Sequence, residues 1–206
     1  MEHSLDELIS LYFPEREAEI RRYADFLATA GIERGLIGPR EGERIWERHI
    51  FNSLFPTTLL PQGASLFDIG SGAGLPGIVI ALARPDLKVT LIEPLERRVE
   101  FLKEAVEGSD IQVIRGRAQD VKKSADFITA RAVAPLEKLK KMCWHMLKMN
   151  GSLLAMKGES AASEMAGVAH AKLHEITLAG VGLGRVVEVK KLPKGTTEDD
   201  IVILSA

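Results

Sequence analysis

The segment Leu66-Phe-Asp68-Ile-Gly70-Ser-Gly72-Ala-Gly74-Leu-Pro-Gly77 constrains this chain more than any other. A short apolar run comes first, a glycine-rich turn second, and a helix-forming run from Ile78 to Ala83 third. A nucleotide or nucleoside site requires that order. Glycines let the backbone approach a ligand closely, and the first peptide N–H groups of the following helix favour negative charge.

From Leu66 onward the chain alternates strand and helix. Strands are expected at Leu66–Ile69, Lys88–Glu93, Ile111–Ile114, Phe127–Ala130 and Ser152–Met156, with helices at Ile78–Ala83, Leu95–Glu107, Pro135–Met149 and Ser160–Leu173. Such alternation predicts a mostly parallel sheet covered by helices on both faces, an α/β Rossmann-like architecture. Two final strands, Arg185–Leu192 and Asp200–Ser205, have only a Pro-Lys-Gly-Thr-Thr loop between them, so an antiparallel edge strand is expected. Residues 1–63 read as a helical extension. Ser4-Leu-Asp-Glu7 has capping-box spacing, a second helix carries Ile20, Tyr23, Ala24 and Leu27, and a third carries Ile45, Trp46, His49, Ile50 and Leu54. The expected division is 1–63 and 64–206.

The loop contains Gly72-x-Gly74-x-x-Gly77, and Glu93 ends the next strand, which is compatible with a dinucleotide site. Two features favour S-adenosylmethionine instead. Asp68 stands two residues before the first glycine, giving Asp-x-Gly-x-Gly, and the loop begins only after some 65 residues and precedes a sheet expected to end in a hairpin. On that reading Asp68, Gly70, Gly72 and Gly74 form the cofactor loop. Glu93 accepts the ribose hydroxyls, and Gly116–Asp120 lies where adenine is recognised.

Composition narrows the setting. The chain has 206 residues, net charge −2 and one cysteine, so no intramolecular disulfide is possible and a nucleic-acid role needs a local basic patch. No apolar run reaches membrane-spanning length and the first residues do not read as a signal peptide, so a cytoplasmic location is expected. His170 and His174 have i,i+4 spacing but no third ligand, and no metal site is expected. Cys143, Trp46, Trp144 and the methionines read as core. With no Pro-Pro-aromatic amine-methylation motif and no cysteine nucleophile, an acceptor that already bears a lone pair, such as guanine N7, suits the chain, and positioning supplies the rate.

Several blocks together resemble the bacterial 16S ribosomal RNA guanine-N7 methyltransferases, the RsmG or glucose-inhibited division protein B family. They are Arg48-His-Ile50 with Ser53-Leu54, Asp68 to Gly77, Arg97-Arg-Val-Glu-Phe-Leu102, Gly116-Arg-Ala-Gln-Asp120, Ala130-Arg-Ala132 and Met156-Lys-Gly158. The resemblance implies that Gly70, Leu75, Ala118, Gln119 and Arg131 line the cofactor site with Glu93 on the ribose, and that small-subunit RNA, free or within the 30S particle, is the partner of a monomer. The chain departs from the family pattern at Asn52, where an aspartate is usual, in the 27–38 stretch, at Gln119 and near Asp199-Asp200.

RNA contacts are expected from Arg48, His49, Arg131 and Lys157. Residues 131–157 hold six basic side chains against one acidic, and 115–123 hold four against one. Arg40, Arg44 and Arg48 share a helical spacing but interleave with Glu41, Glu43 and Glu47, which equally suits a solvated, ion-paired face. A small-molecule methyltransferase, an NAD-dependent oxidoreductase and an inactive cofactor binder remain open alternatives.

Overall fold

A computed structural model describes residues 3–193 and 195. Among the described residues, seven strands form one sheet in the order β3-β2-β1-β4-β5-β7-β6: β1 Ser65–Ile69, β2 Lys88–Glu93, β3 Gln112–Arg115, β4 Ala125–Arg131, β5 Leu147–Met156, β6 Ala171–Leu178 and β7 Gly182–Lys190. β1 to β5 pair in parallel and β7 runs antiparallel to both β5 and β6. The sheet is mixed, as expected, but its antiparallel strand lies one position inside the edge, which β6 occupies. Order reverses between β1 and β4, so the crevice at the carboxyl ends of these two strands is the place where an open α/β sheet takes its ligand.

The strands split their side chains between two apolar clusters. Leu66, Leu91, Leu154 and Val186 join the N-terminal helices and α3 (Gly77–Ala83) on one face; Phe67, Ile92, Leu153 and Val187 join α5 (Leu136–Cys143) on the other. Period-two alternation of apolar side chains dictates this sandwich. The first cluster also takes in Ile9 and Phe13 around α1 (Leu5–Tyr12), and Ile20 and Tyr23 of α2 (Glu17–Phe26). Phe13 and Ile20 are fully buried, a burial worth about 1.5–3 kcal/mol each. The Ser4 capping box closes in both directions, with Glu7 N–H donating to Ser4 Oγ (3.3 Å) and Ser4 N–H to Glu7 Oε2 (2.7 Å). From Leu27 to Gly31 the helix widens into a π turn, and 39–59 form short 3₁₀ and π turns rather than one regular helix.

The C-terminal third departs most from expectation. The helix expected over Ser160–Leu173 is only Ala161–Met165 (α6), because Gly167 (φ 80°) and His170 (φ 60°) adopt left-handed backbone. The following Ala-Lys-Leu-His-Glu-Ile-Thr-Leu makes β6, exposed at Lys172, Glu175 and Thr177 and half-buried elsewhere. His170 and His174 therefore do not share a helix face, and His174 Nε2 pairs with Glu188 Oε2 at 2.9 Å. The expected Pro135–Met149 helix ends at Met146, and β5 starts at Leu147. Met149 is exposed rather than core, and Trp46 and Trp144 are half-buried. The expected strand Asp200–Ser205, and the Asp199-Asp200 departure, lie outside the described residues.

Candidate functional site

Parallel register brings Ile69, Glu93, Arg131 and Met156 to one edge: Ile69 pairs with Ile92, Glu93 with Arg115, and Arg131 with Met156. Three clefts open side by side there. The central one, about 580 Å³, is lined by the glycine loop (Gly70, Gly72, Leu75), Glu93, Arg98, Arg131 and His49, among others. A second, about 330 Å³, continues past Gly70, Pro94 and Val133 between Ile69, Ile92 and Met142 to Ala118 and Gln119. A third, about 500 Å³, lies across Arg131 and Ala132 from the first and reaches Asn52, Lys157 and Arg185. The turn that divides them is tight, since Ala132 follows Arg131 with φ 55°.

The motif glycines differ in purpose. A Cβ on Gly72 (φ 58°) would meet nothing nearer than 3.8 Å, so this residue turns an open peptide to the cleft. A Cβ on Gly70 would press on Val133 at 2.9 Å, which keeps β1 and β4 close at the switch point. Gly74 faces inward instead. Its Cβ would strike Ile78 and lie 3.1 Å from the Tyr23 hydroxyl, and it lines none of the three clefts. Tyr23 donates to the Ala73 carbonyl (2.9 Å), so α2 holds the loop from behind, a tether that an apolar helical spacing cannot announce.

Asp68 is also behind the clefts. It is fully buried; Oδ2 accepts the Gly77 N–H at 3.0 Å and Oδ1 has no partner. Burial pushes its carboxyl up to about 7, against the pull of the nearby Ser71 hydroxyl and the Gly77 hydrogen bond. The folded pKa thus exceeds the unfolded one. Its stabilising contribution is complete below about pH 4 and is lost as pH rises through about 7. Asp68→Asn, which resembles the protonated carboxyl, is therefore expected to gain several degrees in melting temperature relative to wild type on going from about pH 5 to about pH 8. Parallel melting curves at both pH values, without ligand, would refute this if the difference stayed constant.

Glu93 is 1% exposed, and its two oxygens accept the N–H groups of Gly72 and Leu95, both at 3.0 Å. Each carboxylate oxygen offers two lone pairs, so acceptor capacity remains for two ligand hydroxyls. Arg98 stands nearby (3.8 Å) with its Nε buried and unpaired. The residues fit S-adenosylmethionine. An acid with spare lone pairs lies in a cleft floored by glycine, and an apolar slot that ends at the exposed Gln119 runs alongside.

The Arg131 guanidinium donates to residues 48–53: the Arg48 carbonyl (3.3 Å), His49 Nδ1 (3.2 Å) and Ser53 Oγ (3.4 Å). Burial lowers its pKa. His49 is itself buried, so it joins the site and the core together. Arg48 is half exposed and 3.6 Å from Glu41. Lys157, expected to contact RNA, is ion-paired in this structure. Its ammonium is 2.7 Å from Glu164, donates to the Ala134 carbonyl at 2.8 Å and is 11% exposed, so it ties the β4 turn to α6. The basic 115–148 stretch is partly spent on ion pairs: Arg115 with Glu96, Lys141 with Glu137 and Lys148 with Asp126. Cys143 is buried, donates to the Leu139 carbonyl, and is pushed up to about 12 by burial, which removes it as a nucleophile.

The model of the family described as GidB, rRNA small subunit methyltransferase G, matches residues 16–183. The chain belongs to this family. Its relatives include the ribosomal RNA small subunit methyltransferase G of Mycobacterium marinum, 51% identical over 172 residues that cover 80% of this chain and 75% of the relative. That of Thermobifida fusca is 52% identical over 163 residues, covering 77% and 69%. Among solved structures, a methyltransferase from Pyrococcus furiosus superposes with a TM-score of 0.57 at 17% identity, covering 88% of this chain and all of that one. A SAM-dependent methyltransferase from Aquifex aeolicus gives 0.54 at 16%, covering 78% and 97%. These two share the fold. The dinucleotide alternative raised by Gly72-x-Gly74-x-x-Gly77 falls with the family assignment.

Proposed function

We propose that this small-subunit ribosomal RNA methyltransferase transfers the methyl group of S-adenosylmethionine to N7 of a guanine in 16S RNA. The observation that carries this reading is the pair of clefts meeting at Arg131 and Ala132, one built on the glycine loop and Glu93 and the other open towards Asn52 and Arg185. The first takes the cofactor, with Gly70, Gly72 and Leu75 against its body and Glu93 on the ribose, and the adenine extends into the adjoining slot at Ala118 and Gln119. The second takes the target base.

Bound S-adenosylmethionine supplies an electrophilic methyl carbon on a sulfonium sulfur. The chain's own residues position the two partners and exclude water. Among the described residues, the acid lining the acceptor cleft beside Asn52 and Arg185, Glu164, is occupied by Lys157, and no free general base faces that cleft. Guanine N7 needs none, because it attacks with an existing lone pair and loses no proton. This favours N7 over an exocyclic amine. Residues 1–63, with the exposed Arg48, form the RNA-docking side, and the 30S particle or its precursor places the enzyme in the cytoplasm. No helix among the described residues is long and apolar enough to cross a membrane.

Methyl-labelled cofactor and small subunits from cells lacking the endogenous activity test the reading. Label in 16S RNA and one strand scission after borohydride and aniline treatment is the expected result. Label without scission would exclude N7; no label, with cofactor binding intact, would exclude the RNA substrate and revive a small-molecule acceptor.

A further inference from the structure

The loop between the second helix and the sheet carries an acid that neither the cofactor cleft nor the acceptor cleft contains. Glu41 Oε2 is in hydrogen-bond contact with His49 Nε2, and the opposite ring nitrogen, Nδ1, is 3.2 Å from an Arg131 nitrogen. A guanidinium can only donate. His49 Nδ1 must therefore accept, the ring proton must sit on Nε2, and Nε2–H must donate to Glu41. We infer that Glu41 is a positioning residue, which fixes the tautomer of His49 and through it the placement of Arg131 between the two clefts.

Three observations support a relay over incidental packing. Among the described residues, the Arg131 guanidinium donates only to residues 48–53, so the N-terminal segment orients it. Each of those bonds is 3.2–3.4 Å, so none holds the group alone and a loss of ring orientation is felt. Ser53 Oγ, which accepts from Arg131, in turn donates to the backbone carbonyl of His49 at 2.6 Å, so the turn that carries the histidine also fixes the serine contact, while the ring itself acts on Arg131 through Nδ1. A carboxylate behind an imidazole is a general device for selecting which nitrogen carries the proton. Were His49 to turn over or gain a second proton, an N–H would face the Arg131 N–H and the contact would become repulsive. The charged groups around the ring are Glu41, Arg48 and Arg131; burial and Arg131 hold its pKa down, against Glu41.

The inference rests on the functional reading above, and its test separates the two. The full chain is prepared as wild type, Glu41→Ala, Glu41→Gln, His49→Phe, His49→Asn, and Glu41→Ala with His49→Asn. Imidazole ¹⁵N shifts report the His49 tautomer without any substrate. Turnover on 30S subunits and the S-adenosylmethionine Kd are measured separately. The expected result is an Nε2–H tautomer in wild type that becomes mixed in Glu41→Ala, with kcat lower by about tenfold and a cofactor Kd changed less than about threefold. Glu41→Gln, whose amide oxygen can still accept from Nε2–H, recovers most of the rate. His49→Asn retains more rate than His49→Phe, because its side-chain oxygen stands near the Nδ1 position, and adding Glu41→Ala to it costs nothing further.

An unchanged tautomer and rate in Glu41→Ala would overturn the relay, as would full additivity in the double variant. If wild type fails to label 30S subunits, the functional reading fails, while the tautomer comparison still decides the relay. A variant that does not fold shows this in its melting curve, and the Gln and Asn variants then carry the test.

Discussion

Replacing Glu93 by alanine is expected to weaken S-adenosylmethionine binding at least about a hundredfold. Charge-assisted hydrogen bonds contribute roughly 1.5–3 kcal/mol each, and the carboxylate can accept two from a ribose. The same carboxylate anchors the Gly72 and Leu95 N–H groups, so alanine also leaves two backbone donors unpaired at the site. Glu93→Gln should fall between, because its amide group keeps one acceptor but turns a donor towards one of those N–H groups. Calorimetric titration of the cofactor reads the effect directly, and the cofactor-induced rise in melting temperature should vanish in parallel. A Kd within about threefold of wild type would remove Glu93 from the cofactor site.

Gly77→Ala should be the most damaging single methyl group in the motif, through stability rather than binding. Its Cβ would lie 2.4 Å from Leu91 Cδ2, 2.6 Å from Asp68 Oδ2 and 2.8 Å from Asp68 Cβ. Leu91 and Asp68 are fully buried, so neither can swing into solvent. Overpacking of this kind costs about 1–3 kcal/mol or more, which lowers the melting temperature by about 2–12 °C in a chain of this size. Gly72→Ala makes the useful contrast. Space is open there and the φ of 58° alone costs about 1 kcal/mol, so its effect should appear in cofactor affinity. If Gly77→Ala melts with wild type, the close approach of α3 to β1 and β2 is wrong.

The parts of the molecule governed by local rules were legible in the sequence. β2 has the expected bounds, Lys88 to Glu93, because an apolar run ends in an acid that the edge of a parallel sheet can present. Arg131 was placed at that edge by the apolar strand before it. The glycine loop announced a ligand site, yet pattern could not sort its members. Gly70 and Gly72 face the cleft while Asp68 and Gly74 stand behind it, and only packing against Val133, Ile78 and Tyr23 decides which is which. The partner of Lys157 was not legible for a related reason, since a basic residue after a strand gives no hint that Glu164 stands across the turn. The Glu41–His49 contact was hidden because the third helix was expected to be regular. In the irregular turns that form instead, residues eight apart meet. β6 is hidden in the sequence because Ala161 to Met165 does start a helix and the apolar residues after Gly167 keep no strict alternation that would announce a strand.

The first helix and the last described hairpin hold one another. Tyr12 donates to the Ala179 carbonyl at 2.8 Å, and the Gly180 backbone lies so close to Leu8 that a Cβ there would clash at 2.5 Å. These partners are 167 residues apart. During synthesis at about 5–20 residues per second, α1 therefore waits on the order of ten seconds or more for its seat to emerge. Until then, its exposed Leu8 is a surface for wrong partners, and the enzyme's final closure is a late, long-range event, slow in the way that distant contacts are slow.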